Sequence, residues 1–275
     1  MIRFAAALAA MLVLPASALA DVRVAYFPVP AGAHPHDVAA APDGTVWYTA
    51  QSQGALGILD PRTGKTEQIS LGKGAAPHGV AVGPDGAAWI TEDGQNAIVR
   101  VDPKTKEVKL FALPKGFEKT NLNTGTFDKN GIYWFTGQRG SYGRLDPATG
   151  GATVVNAPAP GAGPRRIWSD SKGILWVSLW HAGELGRYDP AAKTWKTFAM
   201  PKSKSGCYSV YVDETDKVWV TDFIANAILR FDPATETFDS FPSNKRGAAV
   251  RQMLGRAGEA WGAESGTDRL VVVRY

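Results

Sequence analysis

From His78 to Glu92 the chain reads HGVAVGPDGAAWITE, with apolar residues at Val80 and Val82, a Pro84-Asp85-Gly86 turn, and a second apolar run around Trp89. Alternation with period two on either side of a Pro/Gly turn predicts a β-hairpin. Centred on Pro84 and Asp85, the hairpin pairs residues whose numbers sum to about 170 and sets His78 opposite Glu92. This unit recurs. Trp47, Trp89, Trp134, Trp176, Trp219 and Trp261 each close a similar hairpin, 42 to 45 residues apart. After each of the first five comes an Asp-Pro turn, at Asp60, Asp102, Asp146, Asp189 and Asp232. Each unit therefore predicts four short strands, two around the Pro/Gly turn and one on each side of Asp-Pro.

A period of this length is the signature of a propeller or a solenoid. The sixth unit ends early: Arg269 to Tyr275 supplies its third strand only. Its fourth is at the other end of the chain, where AYFPVP at Ala25 to Pro30 resembles KLFALP at Lys109 to Pro114. Pairing the N-terminal strand into the last unit closes the ring and leaves no exposed edges. The expected fold is all-β, a six-bladed β-propeller of four-stranded blades, with seven blades as the alternative. A linear solenoid would leave the N-terminal strand unexplained.

The first residues carry Arg3, an apolar core from Phe4 to Leu14, and Ala18-Leu19-Ala20 before Asp21. This pattern predicts a signal peptide over residues 1–20 and an exported protein, periplasmic or secreted, with residues 21–275 as one propeller domain. Cleavage would remove Arg3 and no acid, leaving 29 Lys and Arg against 26 Asp and Glu, a net charge of +3. So small an excess gives no case for nucleic acid or an anionic membrane. The expected partner is a small molecule, and the chain is expected to act as a monomer. Cys207 is the only cysteine, so the chain forms no internal disulfide.

In a four-stranded blade the inner strand starts, and the second strand ends, on the same face of the disc. Positions eleven before each repeat tryptophan are His36, His78, Asn123, Arg165, Tyr208 and, with a one-residue slip, Arg251. Positions three after it include Glu92, Asp222 and Glu264. These residues are expected to ring one mouth of the channel, while the opposite face, with its Pro-Asp-Gly turns, reads as structural. Two readings stand for each. His36 and His78 either cap strand carbonyls or act as paired functional imidazoles. Arg165 and Arg166 are a solvated pair or an anion clamp, with only one facing the channel. Asp222 and Glu264 either neutralise the arginines or hold a metal with Glu92. His34 and His181 lie near the same rim, Cys207 has no base beside it, and the repeat tryptophans read as core.

The PHGV start, PDG turn, WITE end and Asp-Pro turn resemble the repeat of the virginiamycin B (streptogramin B) lyase family, and more distantly that of six-bladed lactonase propellers. The resemblance spans nearly all of the chain beyond residue 20. It implies magnesium-assisted elimination that opens a cyclic depsipeptide at its ester bond. In the family two histidines sit at equivalent positions of adjacent blades, with a glutamate ending the second hairpin, an arrangement that His36, His78 and Glu92 match in spacing. A further family glutamate, two residues before the second histidine, is replaced here by Ala76. On this reading His78 is the base, His36 the acid or carbonyl orienter, and Glu92, Glu264 and Asp222 the metal ligands. Asn123, Arg165, Arg166, Tyr208 and Arg251 would hold the substrate. A lactonase-type hydrolase with a divalent ion and a non-catalytic binding propeller are the alternatives.

Overall fold

The computed structural model describes residues 22–275 except 128–129, 138, 140, 157–165, 181, 190–191, 193 and 203–205. The leader-like segment and the candidates Arg165 and His181 therefore lie outside the described residues. Six four-stranded antiparallel sheets succeed one another along the chain. Blade 1 shows the plan: an inner strand Pro35–Ala40, then Val46–Ala50, Ala55–Asp60 and an outer strand Lys65–Ser70. The last two strands join at the Asp-Pro turn, where Asp60 accepts the Arg62 backbone N–H. Asp102, Asp146 and Asp232 cap the corresponding turns in the same way.

The ring closes as the sequence implies. The N-terminal strand Arg23–Pro28 pairs antiparallel with Arg269–Arg274 and supplies the outer strand of blade 6. On the same seam, Asp268 accepts the backbone N–H groups of Gly32 and His34, and His34 Nδ1 lies 3.1 Å from the Ser265 carbonyl. His34 is thus a tie between the first and last blades.

Trp47, Trp89, Trp176, Trp219 and Trp261 are almost wholly buried between blades. A buried indole removes about 200 Å² from water, worth roughly 5 kcal/mol before entropy is counted. Four of them donate Nε1–H to an acid near their own hairpin turn: Asp85, Asp170, Asp213 and Glu259. Trp134 departs from the expected core role: it is 37 % exposed, while Tyr133 and Phe135 on either side of it are buried in one cluster with Trp89.

The inner strands carry the feature that builds the site. In five blades the pairing between the inner and second strands shifts register, between Pro35 and Val38, Pro77 and Gly79, Leu122 and Gly125, Cys207 and Val210, and Val250 and Met253. A β-bulge leaves its extra residues unpaired and re-aims their side chains. The residues released here are the predicted ring, His36, His78, Asn123, Tyr208 and Arg251. The slip in blade 6 has a simple cause. Leu254 pairs with Trp261 across a hairpin one residue shorter than that between Ala39 and Trp47.

Hydroxyls two residues after the tryptophans fasten the inner strands. Thr49, Thr91, Ser178 and Thr221 accept the backbone N–H of Asp37, Gly79, Arg166 and Ser209. Thr49 and Thr91 then donate to the carbonyl of the next blade's ring residue, His78 and Asn123. A Cβ at Gly79 would lie 2.8 Å from the Asn123 carbonyl, so this crossing requires glycine.

Candidate active site

Two bulges set His36 and His78 face to face, ring centroids 3.7 Å apart and tilted by 45°. His36 Nδ1 lies 2.7 Å from Asp37 Oδ1. All three side chains are buried, and their ligand atoms fall within 4.8 Å of one another. Asp37 is the member of this group that position-by-position reading missed. Its counterparts in blades 2, 4 and 5 are Gly79, Arg166 and Ser209, so no repeated residue type marks it. Its neighbour His36 was the available signal, since a bulge can turn adjacent side chains to one side.

Burial governs the electrostatics. It lowers the pKa of His36 against the opposing pull of Asp37, and Arg251 and Arg166 reinforce the lowering. His78 is pushed down to about 3, first by burial and then by His36. Burial alone would raise Asp37, but the Arg166 guanidinium and the His36 hydrogen bond outweigh it and hold the carboxyl below its ordinary value. At neutral pH the group is therefore two neutral imidazoles beside one carboxylate. With Nδ1–H donated to Asp37, the lone pair of His36 is on Nε2.

Glu92 does not meet His78. The bulge makes Pro77 its partner across the hairpin, whereas the register summing to 170 holds from Gly79–Thr91 to Val82–Ala88. The Glu92 carboxylate instead accepts the backbone N–H groups of Ala76, Gly94 and Gln95, tying two loops together. Asp222 does the same for Gly206 and Ala225. Glu264 pairs with Arg269 and accepts from the Ser243 and Thr267 hydroxyls. The second-strand acids turn into the loops because loop N–H groups converge there, so the three predicted ligands form no metal cluster among the described residues.

The donors that do cluster are a poor match for magnesium. Magnesium takes oxygen ligands, and here two of the three donors are imidazoles, with Ala76 in place of a carboxylate. The Arg166 guanidinium, 3.7 Å from Asp37, competes for the one carboxylate present.

The remaining candidates divide. Arg251 stands on the histidine side, its Nε donating to Ser265 Oγ and its guanidinium 5.5 Å above the Phe223 ring. Tyr208 stacks on Phe223 and meets the edge of Trp180. Asn123 is buried, with Oδ1 unpartnered among the described residues. Arg166 lies one step deeper in the channel, level with Asp37. Cys207 is inert, since burial pushes its thiol up to about 12.

Residues 16–271 match the profile of the Virginiamycin B lyase family. The chain belongs to that family. By sequence alone no curated protein is a significant match. Among solved structures, virginiamycin B lyase from Staphylococcus aureus is similar with a TM-score of 0.67 and 18 % identity over 93 % of this chain and 100 % of that one. A catalytically inactive histidine-to-alanine variant from the same organism, with quinupristin, gives 0.61 and 23 % over 90 % and 83 %. A gluconolactonase from Xanthomonas campestris gives 0.70 and 18 % over 93 % and 90 %. At these identities the likeness is one of fold, and lyases and lactonases of the propeller type share it. In this member of the Virginiamycin B lyase family the buried cluster of potential ligand groups is His36, Asp37 and His78. No helix among the described residues is long and apolar enough to cross a membrane.

Proposed function

We propose that the protein is a carbon–oxygen lyase that opens an ester or lactone linkage by elimination, with His36 as the base. The observation that carries this reading is the His36 Nδ1 to Asp37 Oδ1 hydrogen bond of 2.7 Å. Asp37 orients the ring, leaves the lone pair on Nε2, and stabilises the imidazolium formed in turnover. His36 Nε2 takes the proton from the carbon next to a carbonyl. That electron pair becomes a carbon–carbon double bond, and the β-carbon–oxygen bond breaks to release a carboxylate. Arg251, whose charge acts on His36, favours the developing negative charge. His78 remains neutral, so it does not oppose proton transfer to its neighbour.

Support also comes from the inactivity of the histidine-to-alanine variant of a family relative. A lactonase-type hydrolase is less well supported, because the acids that would hold its metal are engaged in loops. The leader-like pattern of residues 1–20 leads us to place the reaction outside the cytoplasm, with Asp21 as the first residue of the mature chain.

Mass spectrometry of a streptogramin B-type depsipeptide, with a linear depsipeptide ester as second substrate, tests the reading. Ring opening with no change in mass means elimination, and a gain of one water means hydrolysis and refutes the proposal. No turnover of either substrate would also refute it.

A further inference from the structure

The central channel opens a second time, on the face that carries the Pro-Asp-Gly turns and that the sequence marked as structural. The cavity there has a volume of about 740 Å³, and exposed Thr126 and Ser169 stand at its mouth. Its walls are apolar, with Val80, Val82 and Leu254 beside the rings of Trp134 and Trp168. Its inner end is polar. Arg166, Gln252 and Asp37 close it off, and neither His36 nor His78 lines it.

Arg166 is 4 % exposed, and its Nε and both terminal nitrogens are buried without a hydrogen-bond partner among the described residues. Its ion-pair contact there is Asp37 at 3.7 Å, too long for a hydrogen bond, and its guanidinium lies 5.8 Å from the Tyr208 ring. Gln252 is buried too, with Oε1 unpartnered among the described residues. Leaving such donors and acceptors unmet in a buried site is costly, and more so when the group is charged. Of the two guanidiniums, Arg166 alone pairs with Asp37 among the described residues, and the charges of Arg166 and Arg251 both act on His36.

We propose that this chamber is a second ligand site, for an organic carboxylate with a hydrogen-bond donor on the adjacent carbon and a ring-sized apolar body. The fork of Arg166 matches a carboxylate bidentately, and Gln252 Oε1 accepts from the neighbouring hydroxyl or N–H. Trp134, unlike the other repeat tryptophans, is exposed to meet the ring. A volume of about 740 Å³ is in the range of small-molecule pockets and holds such a molecule with room for a longer tail. The chamber shares Asp37 with the elimination chemistry proposed above, while His36 and His78 lie outside it.

Isothermal titration of the full chain with 3-phenyllactate, against the neutral amide 3-phenyllactamide, tests the assignment. The acid is expected to saturate the protein and the amide to bind at least about tenfold more weakly, the loss of one charge-assisted bond. Arg166→Met is expected to abolish binding of the acid. Ala40→Trp, which fills the chamber from its wall and leaves the floor intact, is expected to do the same and stands in if the methionine variant does not fold. His36→Ala is expected to keep binding while losing turnover, which separates this site from the lyase reading. Equal affinity for acid and amide, binding undiminished in the folded variants, or no saturation below about 10 mM would each overturn the assignment.

Discussion

His36 and Asp37 are neighbours in one strand, yet their side chains hydrogen-bond at 2.7 Å. Successive side chains of a regular strand point to opposite faces. The bulge between Pro35 and Val38 suspends that alternation and turns both into the channel. Thr49 Oγ1 accepts the Asp37 N–H and so holds the bulge in place. A dyad that usually needs two distant segments is built here from a dipeptide.

Asp37→Asn is expected to reduce kcat by about 10²- to 10⁴-fold with little change in KM, because the asparagine neither fixes the tautomer nor stabilises the imidazolium. Asp37 raises the pKa of His36 against burial, so its removal should also move the acid limb of the kcat/KM profile to lower pH. Steady-state kinetics across pH on folded variants check both, and an unmoved limb would reduce Asp37 to a structural residue.

Stability should fall on acidification. Burial pushes His78 down to about 3 from its ordinary value of 6.5, so below about pH 6.5 the unfolded chain binds the extra proton. The neutral ring's contribution is complete above the unfolded pKa and is lost as pH falls toward the folded one. Between about pH 6.5 and 5 this amounts to about 2 kcal/mol, which His78→Leu should remove from the pH slope. Urea unfolding at the two pH values measures it, and an equal slope in both proteins would contradict it.

The threonine latches should differ in weight. Thr91→Val leaves the Gly79 N–H and the Asn123 carbonyl unpaired, at about 1–3 kcal/mol for each group. Thr221→Val should cost less, since its contact with the Arg251 carbonyl is already 3.5 Å. Chemical denaturation of both variants orders them, and the reverse order would discount the latch between blades.

Glu92 is expected to behave as a loop tie. Glu92→Gln loses part of its three backbone hydrogen bonds and should lower the melting temperature. Added magnesium should shift the melting of neither protein. A magnesium-dependent rise in the parent that vanishes in the variant would restore Glu92 as a ligand.

Much of the architecture was legible along the chain because a propeller writes its period into the sequence. Tryptophan spacing, Asp-Pro turns and the orphan N-terminal strand each report a local unit, and together they imply six blades and the closure of Arg23–Pro28 onto Arg269–Arg274. The ring of His36, His78, Asn123, Tyr208 and Arg251 was legible for the same reason, since equivalent positions share a face.

What the repeat left open was decided by bulges and by burial. One extra residue in a strand breaks the sum rule of a hairpin, so Glu92 faces Pro77 and turns to its loops, while Asp37 comes to lie beside His36. Which way an acid turns depends on the N–H groups and guanidiniums that converge on it from distant segments, as Arg269 does on Glu264. The blades, their closure and the equivalent placing of His36 and His78 in adjacent blades could be read along the chain, because these follow from period and turn chemistry. Only the tertiary structure decided which carboxylate serves them and that Arg166 faces an open chamber, because those depend on side chains brought together across the channel.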